Sequence, residues 1–217
     1  MRLLNPPWSR RPRPPLVAVT PTPSVAESSA QDYFKRAVQE ANNGNYQGAI
    51  ADFTEVIRLQ PDNSFAYVCR GESYNSLRRY DKAINDFNEA IRLSPDLSGP
   101  YIERGSFYYW LKQYRKAISD YTEGIRLMLL EPEADNPVSL NYEGGVYSKR
   151  GAAYYYLKQY SKALGDYRKA LSDYNEAVRL QPDWAESYEN RANAYDNLGK
   201  SSEAAQDRKK AKELRGR

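Results

Sequence analysis

Hydrophobic residues recur along most of this chain at the three-and-four spacing that gathers them on one face of a helix. The stretch 64–97 shows the pattern most plainly. Tyr67, Gly71, Tyr74 and Leu77 fall on one helical face, with Arg70 beside them. A break follows at Arg78–Arg79; Tyr80, Ala83, Phe87, Ala90 and Ile91 then line a second face, and Pro95 stops the run. The pattern predicts two amphipathic helices joined by a tight turn. Such a pair cannot bury both apolar faces alone, so it needs neighbours of its own kind. They are present. A shift of 34 residues upstream places Tyr33, Ala37, Tyr46, Ala49, Phe53 and Pro61 in the same slots. The same shift downstream places Tyr101, Arg104, Gly105, Tyr108, Leu111, Tyr114, Ala117 and Tyr121 there. Two further copies start at Gly144 (Tyr147, Arg150, Gly151, Tyr154, Leu157, Tyr160, Ala163, Tyr167) and at Ala185 (Tyr188, Arg191, Ala192, Tyr195, Leu198, Ala204).

The period, the small residue at the eighth slot, alanine at the twentieth and proline at the thirty-second resemble the tetratricopeptide repeat family. The resemblance runs from Ala30 to the C-terminus. It implies an all-α fold, a right-handed α-solenoid of about five helix-turn-helix repeats. These are expected at 30–63, 64–97, 98–131 (with an insert to 143), 144–184 and 185–217. Glu40 replaces an aromatic in the first copy, and the last second helix is polar from Ser201 to Lys210. Both suit solenoid ends that face water.

Two stretches depart from the template. Residues 1–29 hold Pro6, Pro7, Pro12, Pro14, Pro15, Pro21 and Pro23, which predicts a disordered, partly polyproline-like tail. Its longest apolar run, Leu16–Val19, is far too short to span a membrane, so no direct membrane insertion is expected. A cytoplasmic protein is expected; the lack of any acid before Glu27 would suit organelle targeting instead. The second departure follows Gly124. Gly144 stands 46 residues after Ser98 where 34 are expected, so twelve residues are inserted. Leu127–Leu130 are expected to prolong a helix, and Pro132 and Pro137 to break it. In the fourth copy, Asp166-Tyr-Arg-Lys-Ala-Leu is followed by Asp173-Tyr-Asn-Glu-Ala-Val, a near-duplicate seven residues on. Seven residues are two helical turns with about 20° of drift, so the duplication lengthens a helix without turning its apolar stripe away. Met128, Leu129 and Leu130 are expected to pack against the lengthened region Leu171–Val178.

Charge and composition narrow the chemistry. The net charge is +4, but residues 1–30 carry Arg2, Arg10, Arg11 and Arg13 against Glu27, leaving the repeats near neutral. That gives little electrostatic case for nucleic acid. With no His, and with Cys69 as the single cysteine, the commonest general base and the usual metal-ligand sets are missing. No cofactor or metal is expected. The acids interleave with Lys and Arg as on solvated helix faces, and no nucleophile–base set stands out. A non-enzyme is expected.

The template also separates framework from remainder. Arg fills the seventh slot of every copy (Arg36, Arg70, Arg104, Arg150, Arg191) and Asp the twenty-third (Asp52, Asp86, Asp120, Asp166, Asp207). A charge used in every module reads as helix-to-helix pairing rather than as a ligand site. Sixteen of the 20 tyrosines fall in repeated slots; Tyr109, Tyr142, Tyr155 and Tyr156 do not, and Trp110 adjoins them. The resemblance implies a concave binding face built from fixed slots of the first helices. Here those slots offer Phe65, Val68, Ile102, Tyr109, Trp110, Tyr155 and Tyr156 as apolar anchors, with Asn190 and Asn193 to hold a peptide backbone. The expected partner is a protein or peptide, held by a scaffold or adaptor. The alternatives are that the aromatics pack beneath the insert or build a homodimer. Some family members grip an acidic chaperone C-terminus with Lys and Asn. Phe34, Val38, Cys69, Gly99 and Glu103 stand at those slots here, so that clamp is not expected.

Overall fold

The computed structural model describes residues 25–130 and 136–216. Among these are ten helices and no strand: α1 (Val25–Asn42), α2 (Tyr46–Leu59), α3 (Ser64–Ser76), α4 (Tyr80–Leu93), α5 (Ser98–Trp110), α6 (Tyr114–Leu130), α7 (Pro137–Tyr156), α8 (Tyr160–Leu180), α9 (Ala185–Asn197) and α10 (Ser201–Arg215). They form five helix-turn-helix pairs, the all-α solenoid repeats expected from the sequence.

One device closes the turn inside each pair. The N–H groups of Asn45, Arg79, Gln113, Gln159 and Lys200 donate to the carbonyls of Glu40, Tyr74, Tyr108, Tyr154 and Tyr195 at 2.7–2.9 Å. The residue before each donor is left-handed: Gly44, Arg78, Lys112, Lys158 and Gly199, with φ between 57° and 79°. This closure satisfies carbonyls that the helix end leaves open. Glycine adopts that conformation freely in the first and last pairs. Arg78, Lys112 and Lys158 hold it at a cost of about 1 kcal/mol each. Between pairs the stop is proline: Gln60, Ser94 and Gln181 donate back into α2, α4 and α8, and Pro61, Pro95 and Pro182 follow. The Asn63 side chain then starts α3 by accepting from Ala66 N–H at 3.1 Å.

The chain divides into two compact units, residues 1–104 and 105–217, with the division inside α5. Each is described by itself. In the first, Ala37, Ala41, Ala49 and Phe53 form a core against which Phe34, Val38 and Cys69 pack. Arg36 and Arg70 make two-pronged pairs with Asp52 and Asp86. In the second unit Arg150 and Arg191 do the same with Asp166 and Asp207, so in these four copies the repeated charges are struts between the helices of a pair. The eighth-slot glycines let aromatic rings lie against helix backbone. A Cβ on Gly105 would fall 3.1 Å from the Tyr121 ring, and one on Gly151 2.9 Å from that of Tyr167.

Three expectations need correction. α1 takes in Val25–Ser29, which the sequence reading left with the tail; after Pro23 nothing in VAESS opposes a helix. The tail proper, residues 1–24, lies outside the described residues, as does Pro132. Pro137 does not break a helix but opens one. Asn136 caps α7, accepting from Val138 and Ser139 N–H at 3.0 Å, and proline at the first helical position loses no hydrogen bond. Finally, α6 does extend to Leu130, but Leu129 and Leu130 are 54% and 64% exposed rather than packed on Leu171–Val178. The lengthened part of α8 is met by a lengthened part of α7. α7 has 20 residues against 13 in α3, α5 and α9, and α8 has 21 against 14 in α2 and α4. Both helices of the fourth pair thus gain seven residues, and they match. A Cβ on Gly144 would fall 2.7 Å from Tyr174, repeating Gly151 on Tyr167 two turns on.

Candidate protein-binding site

The expected site residues fall in both units. In the first, Val68 and Ile102 are fully buried, so neither can meet a ligand; β-branched aliphatics at these slots serve the core. Phe65 is half-buried and lines a hollow of about 310 Å³ with Ala30, Gln31, Phe34, Lys35, Gln60 and Asn63. In the second unit Asn190 is committed inward. It donates to Asn141 Oδ1 at 3.2 Å, while buried Asn141 donates to Ser187 Oγ at 2.7 Å and to the Pro137 carbonyl at 2.8 Å. Asn141, from the inserted segment, therefore ties α7 to α9. Asn193 is exposed and accepts from Arg208 at 3.4 Å.

The aromatic residues do come together. Tyr109 meets Trp110, Tyr114 and Tyr156 edge-on at 5.9, 5.6 and 5.9 Å between ring centres. Tyr114 and Tyr156 stack at 4.8 Å with their planes 4° apart. Tyr155 continues the row, edge-on to Tyr156 at 6.1 Å and to Tyr160 at 5.4 Å. Six rings from the turn ends of α5, α6, α7 and α8 thus form one strip. Tyr114 and Tyr160 were not expected in it, since they occupy slots that recur in other copies. Trp110 is 76% exposed; Tyr155, Tyr156 and Tyr160 are each more than half exposed. Edge-to-face and offset contacts of this kind hold a ring cluster in shape without burying it. Burial, then the neighbouring Tyr156, pushes the Tyr109 phenol up to about 12, so it carries an O–H at neutral pH.

A separate feature lies in the first unit. Glu72 on α3 is partly exposed along its side chain. Even so, burial and then the facing Glu103 push its carboxyl up to about 7. The folded protein therefore keeps a proton that the unfolded chain releases near 4.5. Stability is full below that value and falls as pH rises through 7. Glu72→Gln is expected to gain about 1–2 kcal/mol over the parent at pH 8 and nothing at pH 4.5. Urea titrations at the two pH values measure this; a gap of equal size at both would contradict it. Burial also raises the Cys69 thiol, which leaves it a poor nucleophile.

Among the described residues no three acidic or thiol groups gather where they could hold a metal, and no helix is long and apolar enough to cross a membrane. Comparison with curated protein sequences gave no significant match. Comparison with solved structures did. A crystal structure of MamA shares 21% identity, with 83% of this chain and 94% of that one covered, at a TM-score of 0.56. A MamA fragment from Desulfovibrio magneticus RS-1 shares 18%, with 86% and 95% covered, at 0.56. PilF of Pseudomonas aeruginosa shares 14%, with 88% and 78% covered, at 0.63. At these identities the likeness is one of fold. Family models add the sequence side: tetratricopeptide repeat models match residues 64–97 and 185–216, and a TPR repeat model matches 162–199. The first of these spans the same 34 residues whose pattern defined the unit, and the described helices are paired, capped and stopped in step with it. The chain is a tetratricopeptide repeat protein.

Proposed function

We propose that the protein is a non-catalytic scaffold that holds a segment of a partner protein on the aromatic strip of its second unit. The observation that carries this reading is the exposure of Trp110, Tyr155, Tyr156 and Tyr160 in one continuous row. Solvent-facing Trp and Tyr side chains, held rigid by their neighbours, are what binding hot spots use. The strip lies at turn ends, and of the expected anchors it includes Tyr109, Trp110, Tyr155 and Tyr156. Phe65 belongs to the other unit and is not needed for this reading.

The test is a comparison of tagged parent with a Trp110→Ala/Tyr155→Ala/Tyr160→Ala variant in quantitative affinity purification. The three substituted rings are exposed, so the helical circular dichroism signal should not change. Loss of the specifically retained proteins is the expected result; their full recovery on the variant would refute the reading. A second reading, self-assembly, is favoured by Leu129 and Leu130, two exposed aliphatics side by side at the end of α6. It expects a dimer mass by light scattering that Leu129→Ser/Leu130→Ser reduces to the monomer.

A further inference from the structure

We propose that the strip takes an acidic segment of its partner, one with aromatic or aliphatic side chains set between its carboxylates. This rests on the reading of the strip as the binding surface and adds the chemistry of what it binds. The two stretches that build the strip contain no carboxylate: none lies between Gly105 and Ser119 or between Gly151 and Gly165. They do contain Lys112, Arg115, Lys116, Lys158 and Lys162, all exposed. Of the acids that follow in sequence, Asp120 is buried and Asp166 is buried and held by Arg150, so neither offers an exposed countercharge to the rim.

The charge adjoins the rings in space as well as in sequence. Lys112, Arg115 and Lys116 line a hollow of about 340 Å³ with Gln113, Tyr114 and Leu157, which brings the α5–α6 turn against the α7–α8 turn beside the Tyr114–Tyr156 stack. Lys112 and Lys158, like Arg78 in the α3–α4 turn, sit at the left-handed turn position where the terminal repeats have Gly44 and Gly199, so two of the rim's cations stand at fixed turn positions. Lys116 and Lys162 lie over the Tyr108 and Tyr154 rings, and among the described residues none of the five cations is ion-paired. Apolar rings inside such a cationic rim are complementary to carboxylates spaced around apolar side chains. The contact is with side chains at turn ends and requires no chain-terminal carboxylate.

Charge also sorts the other occupants. The chain's own first residues carry Arg2, Arg10, Arg11 and Arg13 with no carboxylate before Glu27, the same sign as the rim. Nucleic acid shares the required charge, but residues 31–217 carry 28 Lys and Arg against 27 Asp and Glu, too near neutral to follow a phosphate backbone.

The probe is a fluorescein-labelled twelve-residue peptide in which Asp and Glu alternate with Leu and Phe, titrated with the full chain by fluorescence anisotropy. Its Asn/Gln copy serves as the neutral control. The acidic peptide is expected to bind at least about tenfold more tightly than the neutral one, and to weaken as salt is raised. Arg115→Glu/Ser161→Glu cuts the rim's formal charge from +5 to +2 while placing acids in the first turns of α6 and α8, where the helix dipole welcomes them. That variant should lose about tenfold in affinity, as should Trp110→Ala/Tyr155→Ala/Tyr160→Ala. Equal binding of both peptides, lost in the aromatic variant, would overturn the acidic preference and leave the strip standing. Acidic-peptide binding that the aromatic variant leaves intact would overturn the strip as the site. Binding of neither peptide, equal binding of a labelled oligothymidylate, or a dimer that Arg115→Glu/Ser161→Glu dissociates would each overturn the proposal.

Discussion

Changing Gly151 to valine is expected to destabilise the protein by about 3 kcal/mol, and Gly144→Val by at least as much. The reason is the separation between helix and ring. A Cβ at Gly151 would stand 2.9 and 3.1 Å from two carbons of the Tyr167 ring and 3.2 Å from Asp166 Cβ. At Gly144 the three nearest atoms all belong to the Tyr174 ring, at 2.7, 3.0 and 3.1 Å. Neither ring can swing aside, because Tyr167 and Tyr174 are buried, and Asp166 is fixed by Arg150. The helices must then part, giving up packing along both. Valine adds a second branch and some loss of helix propensity to that clash. Gly165 is the control. It lies exposed within α8 with no atom within 4 Å of an added Cβ. Gly165→Ala should therefore stabilise by about 1 kcal/mol, the propensity difference alone. Urea midpoints of the three variants measure this. Midpoints for Gly151→Val and Gly165→Ala that move in the same direction would contradict close packing as the role of the eighth-slot glycine.

Those glycines were legible because they recur. Any feature used once per 34 residues, such as the glycine against an aromatic ring or the Arg–Asp pair, could be read by shifting the chain against itself. Features used once could not. The duplication in α8 was visible because Asp-Tyr-x-x-Ala repeats nearly intact. Its counterpart in α7 was hidden: of Tyr147, Arg150 and Gly151, the earlier turn keeps only the glycine, with Leu140 for Tyr147 and Glu143 for Arg150. Pro137 looks like a breaker by residue type alone, but Asn136 before it is an N-cap residue and proline belongs at the next position. In the strip, subtraction found Tyr109, Trp110, Tyr155 and Tyr156 because they do not recur. Tyr114 and Tyr160 do recur and so look like packing residues in the sequence, but at a turn end a repeated ring can stay open to solvent. Val68 and Ile102 failed for the opposite reason. A slot that faces a ligand in some repeats was given to residues whose branched aliphatic side chains fit the interior here.

The same register argument yields a second large effect and its inverse. Asp166→Ala is expected to cost about 3 kcal/mol. Arg150 holds both Asp166 oxygens at 2.8 Å, and the two side chains are only 16% and 10% exposed. Removing the carboxylate strands a largely buried guanidinium, and the cost stays at the low end of the usual range because Arg150 keeps a bond to Thr122 Oγ1 at 3.1 Å. Seven residues on, Asp173 occupies the duplicate of the Asp166 position, but Glu143 stands where its arginine should be. Lys169, from the same helix, takes Asp173 Oδ1 at 2.6 Å, and Oδ2 is buried with no hydrogen-bond partner. Burial consequently holds the Asp173 carboxyl above its ordinary range despite Lys169. Glu143→Arg should supply the absent strut and stabilise the protein by about 1 kcal/mol, net of the cost of burying the new cation. The decisive measurement is a double-mutant cycle of Glu143→Arg with Asp173→Ala. A coupling of about 1 kcal/mol or more is expected, because the gain exists only while the carboxylate is there to receive it. A coupling of zero would mean that an arginine at 143 does not reach Asp173, and that the added turns of α7 do not repeat the register of the turns they extend.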